Sequence, residues 1–360
     1  MNRYLPLLVG KQIALVANHS SLVGGKHLVD TLLASGIERN QIVKVFAPEH
    51  GFRGDQAAGV QIEDGTDPLT GIPVASLYGS HYKPEPEDLQ GIELLIFDLQ
   101  DVGTRFYTYI STLHYVMEAC AENNIPLLLL DRPNPNGAYV DGPVLDTAFR
   151  SFVGMHPIPV VYGLTIGELS GMINGEGWLA RGARCEVTVI PCEGYTHSRP
   201  YSLPVKPSPN LPNDHAVLLY ASTCFFEGTV LSEGRGTDKP FEVYGHPELP
   251  GDFSFIPRNI PGVARNPKFE GKRCYGADLS SYLPEEGWTG LNLQFLLEAY
   301  ELFPHKEEFF TSYMDKLAGT DELREQIEAG WDEARIRASW EKGLEQYKLI
   351  RKKYLIYDDE

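Results

Sequence analysis

Within seven residues, Pro48-Glu49-His50-Gly51-Phe52-Arg53-Gly54 brings together an acid, an imidazole, a guanidinium and two glycines. The segment follows Ile42-Val43-Lys44-Val45-Phe46-Ala47, an apolar run that reads as a buried strand. Glycines let the backbone turn sharply, so polar side chains can be aimed into a crevice rather than along a sheet. Glu49 is therefore a candidate catalytic carboxylate, His50 a candidate beside it, and Arg53 a candidate anion ligand. The competing reading is a Glu49/Arg53 ion pair on a surface loop, since most perturbed charges are structural. A second dense stretch, Phe226-Glu227-Gly228-Thr229 with Ser232-Glu233-Gly234-Arg235-Gly236-Thr237, repeats the style with two acids, an arginine and three glycines. It too has a plain alternative, a glycine-rich turn carrying a solvated Glu233/Arg235 pair.

The elements that must position these groups follow one pattern. Apolar runs at 12–17, 42–47, 74–77, 94–99, 125–130 and 160–164 read as short buried strands, and the alternating 186–190 reads as an edge strand. Helical spacing separates several of them: Leu28, Val29, Leu32 and Leu33 before Gly36, and Ile110, Leu113, Val116, Met117 and Cys120. Thr165 with Glu168 has the form of a capping box. Strands alternating with helices predict an α/β fold, a Rossmann-like and mostly parallel sheet with helices on both faces. In such sheets ligands bind outside the carboxyl ends of the strands. The polar stretches at 18–21, 48–54, 78–80, 100–109 and 131–137 all directly follow strands, so they should converge on one edge. Asn18, Asp101, Arg105, Tyr107, Tyr109 and Asn134 join the candidate binding residues on that ground.

Residues 198–213 carry five prolines and mark a boundary that crosses the surface in extended form. The expected domains are a Rossmann-like catalytic domain at 1–195 and an α+β auxiliary domain at 196–360 that closes the cleft. In the tail, Leu291, Phe295, Leu296 and Tyr300 form one apolar face, and Ile336, Trp340, Leu344, Tyr347 and Ile350 another. Lys348, Arg351, Lys352 and Lys353 read as a solvated helix end, where cations suit the dipole.

Composition narrows the partners. With 31 Lys and Arg against 49 Asp and Glu, the 360-residue chain carries a formal charge of −18, which argues against nucleic acid and anionic membrane surfaces. Its five cysteines have neither finger-like nor CxxC spacing. No apolar run reaches the ~18–20 residues of a membrane span, and the first ten residues lack the regions of an export signal. That start fits a cytoplasmic protein or one whose signal has been removed.

Several chemistries lack their motifs. There is no GxSxG elbow, no GxxxxGK[ST] phosphate loop, no GxGxxG after the first strand, and no HExxH or comparable metal cluster. Neither cofactor nor metal is expected. Carboxylate chemistry with aromatic walls is left, and it suits glycoside cleavage: an acid protonates the leaving oxygen while a second group stabilises or attacks the oxocarbenium-like centre. Tyr107, Tyr109 and Trp178 are candidate sugar platforms, and Arg105 and Arg235 candidates for bidentate carboxylate binding.

These residues resemble a known family. Asn18-His19-Ser20-Ser21, the 48–54 motif, Asp101-Val102-Gly103-Thr104-Arg105-Phe106-Tyr107-Thr108-Tyr109, Asp131-Arg132-Pro133-Asn134-Pro135, Ser208-Pro209-Asn210-Leu211-Pro212 and the 226–237 stretch are similar, in order, to the NamZ-type exo-β-N-acetylmuramidases. The resemblance implies a Rossmann-like domain, an auxiliary domain, and a cleft between them that removes non-reducing-end N-acetylmuramic acid from peptidoglycan fragments. It implies that Glu49 is the principal catalytic residue. It also implies a small saccharide as partner and a periplasmic or secreted location. The lactyl carboxylate of that sugar calls for an arginine, with Arg105 or Arg235 in view. Glu227, Glu233 and Asp101 compete as the second carboxyl, and assistance by the substrate's acetamido group is a further route. The alternatives are a non-enzymatic muropeptide or sugar-acid binding protein and a nucleotide-sugar enzyme.

Overall fold

The computed structural model describes residues 1–49, 51–53, 64–79 and 81–359. Its centre is a seven-stranded sheet of β1 (Ile13–Ala17), β2 (Ile42–Ala47), β3 (Gly65–Thr66), β4 (Pro73–Ser76), β5 (Leu94–Asp98), β6 (Leu127–Leu130) and β7 (Val187–Ile190). The strand order is β3-β4-β2-β1-β5-β6-β7, with every pair parallel except β3 against β4. Strands β2 and β4 lie to one side of β1, and β5, β6 and β7 to the other. Strand order therefore reverses at β1, which is where such sheets open their ligand crevice.

Side-chain alternation along the strands builds two cores. Ala14, Val16, Phe46, Leu95, Phe97, Leu127 and Leu129 enter one, packed with α2 (Tyr109–Asn123) and α3 (Ile166–Gly175). Ile13, Leu15, Ala17, Val45, Ile96 and Leu128 enter the other, beneath α1 (Leu28–Ala34). Both faces of the central strands are buried, which explains why they read as unbroken apolar runs. The first core continues into the second half of the chain through Leu219 and Phe225, then Met314 and Trp340.

No regular element lies between Ile190 and the start of α4 (Asp214–Thr223). The second half then forms an antiparallel sheet in the order β8 (Val243–His246), β10 (Cys274–Asp278), β9 (Phe253–Phe255). Helices α5 (Gln294–Leu302), α6 (Tyr313–Ala318), α7 (Glu322–Glu328) and α8 (Glu333–Arg351) complete it. Its end returns to the first sheet. Tyr347 donates from its hydroxyl to the Tyr162 carbonyl at 2.7 Å, and Arg351 from Nε to the Gly163 carbonyl at 2.7 Å. The capping box at Thr165 and Glu168 is present. The other Glu168 oxygen accepts from the Ile356 and Tyr357 amides, so one carboxylate both starts a helix and clamps the tail.

Two sequence expectations change. Residues 160–164 are not a sheet strand: Val161 makes isolated bridges to Thr104 and Asp141. The run is apolar because it is wrapped by other loops, a burial that hydropathy cannot distinguish from a sheet position. Arg351 is not solvated; it is buried, with its guanidinium on Gly163 and Asp359, whereas Lys348, Lys352 and Lys353 are exposed.

The Tyr347 bond crosses between the two halves in a buried setting. Tyr347→Phe is expected to cost about 1 kcal/mol in urea unfolding, the net worth of one such bond. An unchanged midpoint would show that the tail clamp contributes nothing to stability.

Candidate active site

Strand ends on the carboxyl edge are bonded to one another. Asn18 donates from Nδ2 to the Tyr109 hydroxyl at 2.7 Å, and the Gln100 amide donates to Ser20 Oγ at 3.2 Å. Gln100 Nε2 reaches the Pro133 carbonyl, and Asn136 Nδ2 the Val102 carbonyl. Gly103 sits at φ +80° with Asn134 packed where a Cβ would lie, so only glycine fits there. The Pro-rich crossing lies on the same edge, where His19 Nε2 meets the Lys206 carbonyl at 2.8 Å and the Tyr107 hydroxyl donates to the Pro207 carbonyl at 2.7 Å.

Glu49 follows β2 by two residues. Gly51, at φ +77°, makes the turn beyond it, its amide bonded to the Pro48 carbonyl. Thr108 Oγ1 donates to Glu49 Oε2 at 3.0 Å, and the Tyr109 hydroxyl to the Glu49 carbonyl at 3.4 Å. The Tyr78 phenol lines the same cavity as the Glu49 side chain; burial raises its pKa, and the Glu49 charge raises it further. Tyr78 therefore stays a protonated donor at neutral pH. Three strand exits (48–49, 78 and 108–109) thus meet at one carboxyl group, which Thr108 holds.

Glu49 and Tyr78 face a cavity of about 370 Å³ whose other walls come from the second half of the chain: Glu227, Glu233, Arg235, residues 263–268 and Tyr313. A smaller recess of about 50 Å³ shares Glu49 and Arg235 and is lined by Phe106, Tyr107, Tyr109, Tyr220 and Phe241. Arg235 donates to Glu227 Oε1 from Nη2 at 2.5 Å and from Nε at 3.2 Å, and its Nε lies 3.2 Å from Glu233 Oε1. Lys268 Nζ stands 3.3 Å from Glu233 Oε2 and donates to the Phe226, Thr229 and Leu231 carbonyls. Burial pushes the Glu227 carboxyl up, with Arg235 opposing the shift. The opposing wall is an ordered acid-base lattice in which Glu233 is buried and Glu227 less so.

The candidates drawn from sequence separate into two groups. Glu49, Tyr107, Tyr109, Glu227, Glu233 and Arg235 line these spaces. Asn18 and Asn134 are buried in loop-to-loop bonds, Asn134 donating to the Leu164 carbonyl at 2.8 Å and accepting from the Asn136 amide. Arg53 bonds Asp67 at 2.8 Å and Asp30 at 3.2 Å and lies over the Phe52 ring, so its charge is engaged away from Glu49. Asp101 is buried, accepting from the Tyr162 hydroxyl and the Gly103 amide; burial pushes its carboxyl up to about 6. Arg105 is fully buried, and its guanidinium donates to the Pro143, Ile158, Leu317 and Ala318 carbonyls. It cannot bind a substrate carboxylate; it staples residues 317–318 to the first half. Trp178 stacks on His156 and lines neither space. His50 and Gly54 lie outside the described residues.

Tyr78, Thr108, Tyr313, Arg265 and Lys268 escaped sequence reasoning as site residues. The first two lie in strand exits already marked as polar, which was the available signal. Arg265 and Lys268 belong to an irregular stretch with no periodicity to mark it.

A larger cavity, about 480 Å³, is lined by Tyr139, His197, Tyr201 and Trp288 among others. It holds neither Glu49 nor the Arg235 lattice, and size alone does not make it the reactive site. Among the described residues no group of three or more His, Cys, Asp or Glu side chains is placed to hold a metal ion, and no helix is long and apolar enough to cross a membrane.

Residues 13–215 match the family model described as exo-beta-N-acetylmuramidase NamZ, N-terminal, and residues 218–357 match its C-terminal counterpart. The chain belongs to the NamZ family. By that membership it is a glycoside hydrolase. It is 40% identical to the peptidoglycan beta-N-acetylmuramidase NamZ of Bacillus subtilis (strain 168), over 98% of this chain and 89% of that protein. Two crystal structures of DUF1343 family proteins from Bacteroides fragilis NCTC 9343 share the fold. One has a TM-score of 0.92 at 47% identity, covering 100% of this chain and 97% of the other. The second has a TM-score of 0.83 at 28% identity, covering 99% and 97%.

Two substitutions test the structural roles of buried NamZ-motif residues. Arg105→Met leaves four carbonyls without their donor and is expected to cost roughly 3 kcal/mol or more in chemical denaturation. Asp101 has a folded pKa above its ordinary value, so its contribution to stability is full below pH 3.8 and is lost as pH rises through about 6. Asp101→Asn should therefore flatten the stability profile between those pH values by roughly 3 kcal/mol, the size of a shift of that order. An unaltered slope would place the titrating group elsewhere.

Proposed function

We propose that this protein is an exo-acting β-N-acetylmuramidase that removes N-acetylmuramic acid from the non-reducing ends of peptidoglycan fragments. The observation that carries the reading is Glu49, held by Thr108 beside Tyr78 at a cavity whose opposite wall is the Glu227-Arg235-Glu233-Lys268 lattice. The relationship to the Bacillus subtilis enzyme supplies the substrate class.

In this reading the sugar occupies the space between the two halves, and the division after residue 195 separates the halves that form it. Glu49 exchanges a proton at the glycosidic oxygen. As the bond between that oxygen and the anomeric carbon breaks, the leaving oxygen takes a proton; water adds its oxygen to the carbon and gives up a proton in turn. The Thr108 hydroxyl orients the carboxyl so that it meets the bond without reorganising. Of the three acids in view as partner, Asp101 is shut away from the cavity and Glu233 is held by both Arg235 and Lys268. Glu227 is the second carboxyl, with Arg235 controlling its charge. A peptidoglycan substrate favours a location outside the cytoplasm, in the periplasm or secreted, over a cytoplasmic one.

Glu49→Gln keeps the shape and the Thr108 bond but removes the exchangeable proton. Release of N-acetylmuramic acid from a synthetic β-muramic glycoside should fall by a factor of roughly 100 to 10,000, the usual contribution of a positioned acid or base. Release at the wild-type rate would refute the assignment.

A further inference from the structure

Arg265 stands apart from the other cations of the cavity. The lining contains three carboxylates, Glu49, Glu227 and Glu233, and three cations, Arg235, Lys268 and Arg265. Arg235 is bonded to Glu227 and Glu233, and Lys268 is paired with Glu233. Arg265 is exposed, and it makes no hydrogen bond or ion pair with any described residue. In a protein of charge −18, an anionic ligand entering an acid-lined space is repelled unless an uncommitted cation receives it. Arg265 is the one cavity cation among the described residues in that condition.

The backbone carrying it is fixed from several sides. Arg258 donates its amide to the Gly236 carbonyl at 2.8 Å, and the Gly271 amide reaches Pro257 at 2.8 Å, closing the loop at its base. Ile260 and Ala264 form a bridge within it. Asn210, from the Ser208-Pro209-Asn210-Leu211-Pro212 motif, donates to the Val263 carbonyl at 2.9 Å. On the other flank Lys268 is tied to three carbonyls of 226–231. Asn266, the residue after Arg265, holds φ +47°, a left-handed turn conformation that asparagine adopts more readily than other side-chain-bearing residues. A rigid loop therefore presents a long side chain with an unspent guanidinium at the mouth of the Glu49 cavity. Ordering only the side chain limits the entropic cost of binding.

We propose that Arg265 is the specificity residue for an anionic sugar, binding the lactyl carboxylate of the muramic acid through its guanidinium. The proposal rests on the muramidase reading and replaces Arg105, which is sealed among carbonyls, in the role of carboxylate ligand. Arg235 stays with its two glutamates. The planar fork of Arg265 matches a carboxylate in two parallel hydrogen bonds, which a lysine would not reproduce.

The test compares two substrates: a 4-nitrophenyl β-glycoside of N-acetylmuramic acid, and the same compound with its lactyl group as the methyl ester. Arg265→Met should raise KM for the acid roughly 5- to 30-fold while leaving kcat near the wild-type value, because an exposed charge pair contributes binding shared by ground and transition states. KM for the ester should not move. Arg265→Lys should recover part of the loss. Wild-type KM for the acid should rise with added salt, and that for the ester should stay flat. An equal change for both substrates, or none for either, overturns the proposal while leaving the muramidase reading intact. A wild type that cleaves neither compound overturns that reading and the proposal with it.

Discussion

The structure depends on the mutual hydrogen bonding of the loops at the carboxyl edge of a parallel sheet. Asn18 holds Tyr109, Tyr109 holds the Glu49 backbone, and Thr108 holds its carboxyl group. Each bond is individually modest, and none would position an acid alone. Because the donors sit on different strand ends, the Glu49 geometry is set by the register of the whole sheet. Buried polar networks of this kind are expensive when incomplete, which gives the loops one arrangement rather than many.

The second half of the chain supplies what the sheet cannot. Its acid-base lattice is tethered to its own backbone through Lys268, while Arg105 and the C-terminal helix bind the two halves together. Arg105 has no charged partner among its hydrogen bonds, and burial brings its guanidinium down to about 9. Such a group is retained for the carbonyls it satisfies at once, not for ion pairing. A wall built this way can oppose Glu49 at a fixed separation, which glycoside chemistry needs from its two carboxyl groups.

Much of this was legible in the sequence, for reasons particular residues make plain. Uninterrupted runs such as Leu94–Asp98 occur where both faces of a strand are covered, and the polar residues that follow them could only gather on one edge. The capping box at Thr165 was readable because it is a local contact. Arg105 misled because residue type cannot reveal whether a guanidinium faces a ligand or four carbonyls. Val160–Leu164 misled because a wrapped loop and a buried strand share the same hydropathy. Arg265 was invisible because its significance lies in what its neighbours have already bonded, a property of three-dimensional pairing and not of spacing.

The central claim is that the sugar is held between the two halves with its reacting bond at Glu49. A crystal structure of the Glu49→Gln variant soaked with a β-muramic disaccharide tests it most directly. The account predicts the anomeric carbon beside residue 49, between Tyr78 and the Glu227-Arg235 wall, with the lactyl carboxylate toward Arg265. A saccharide bound instead in the cavity of Tyr139, Tyr201 and Trp288, with the Glu49 space unoccupied, would contradict it.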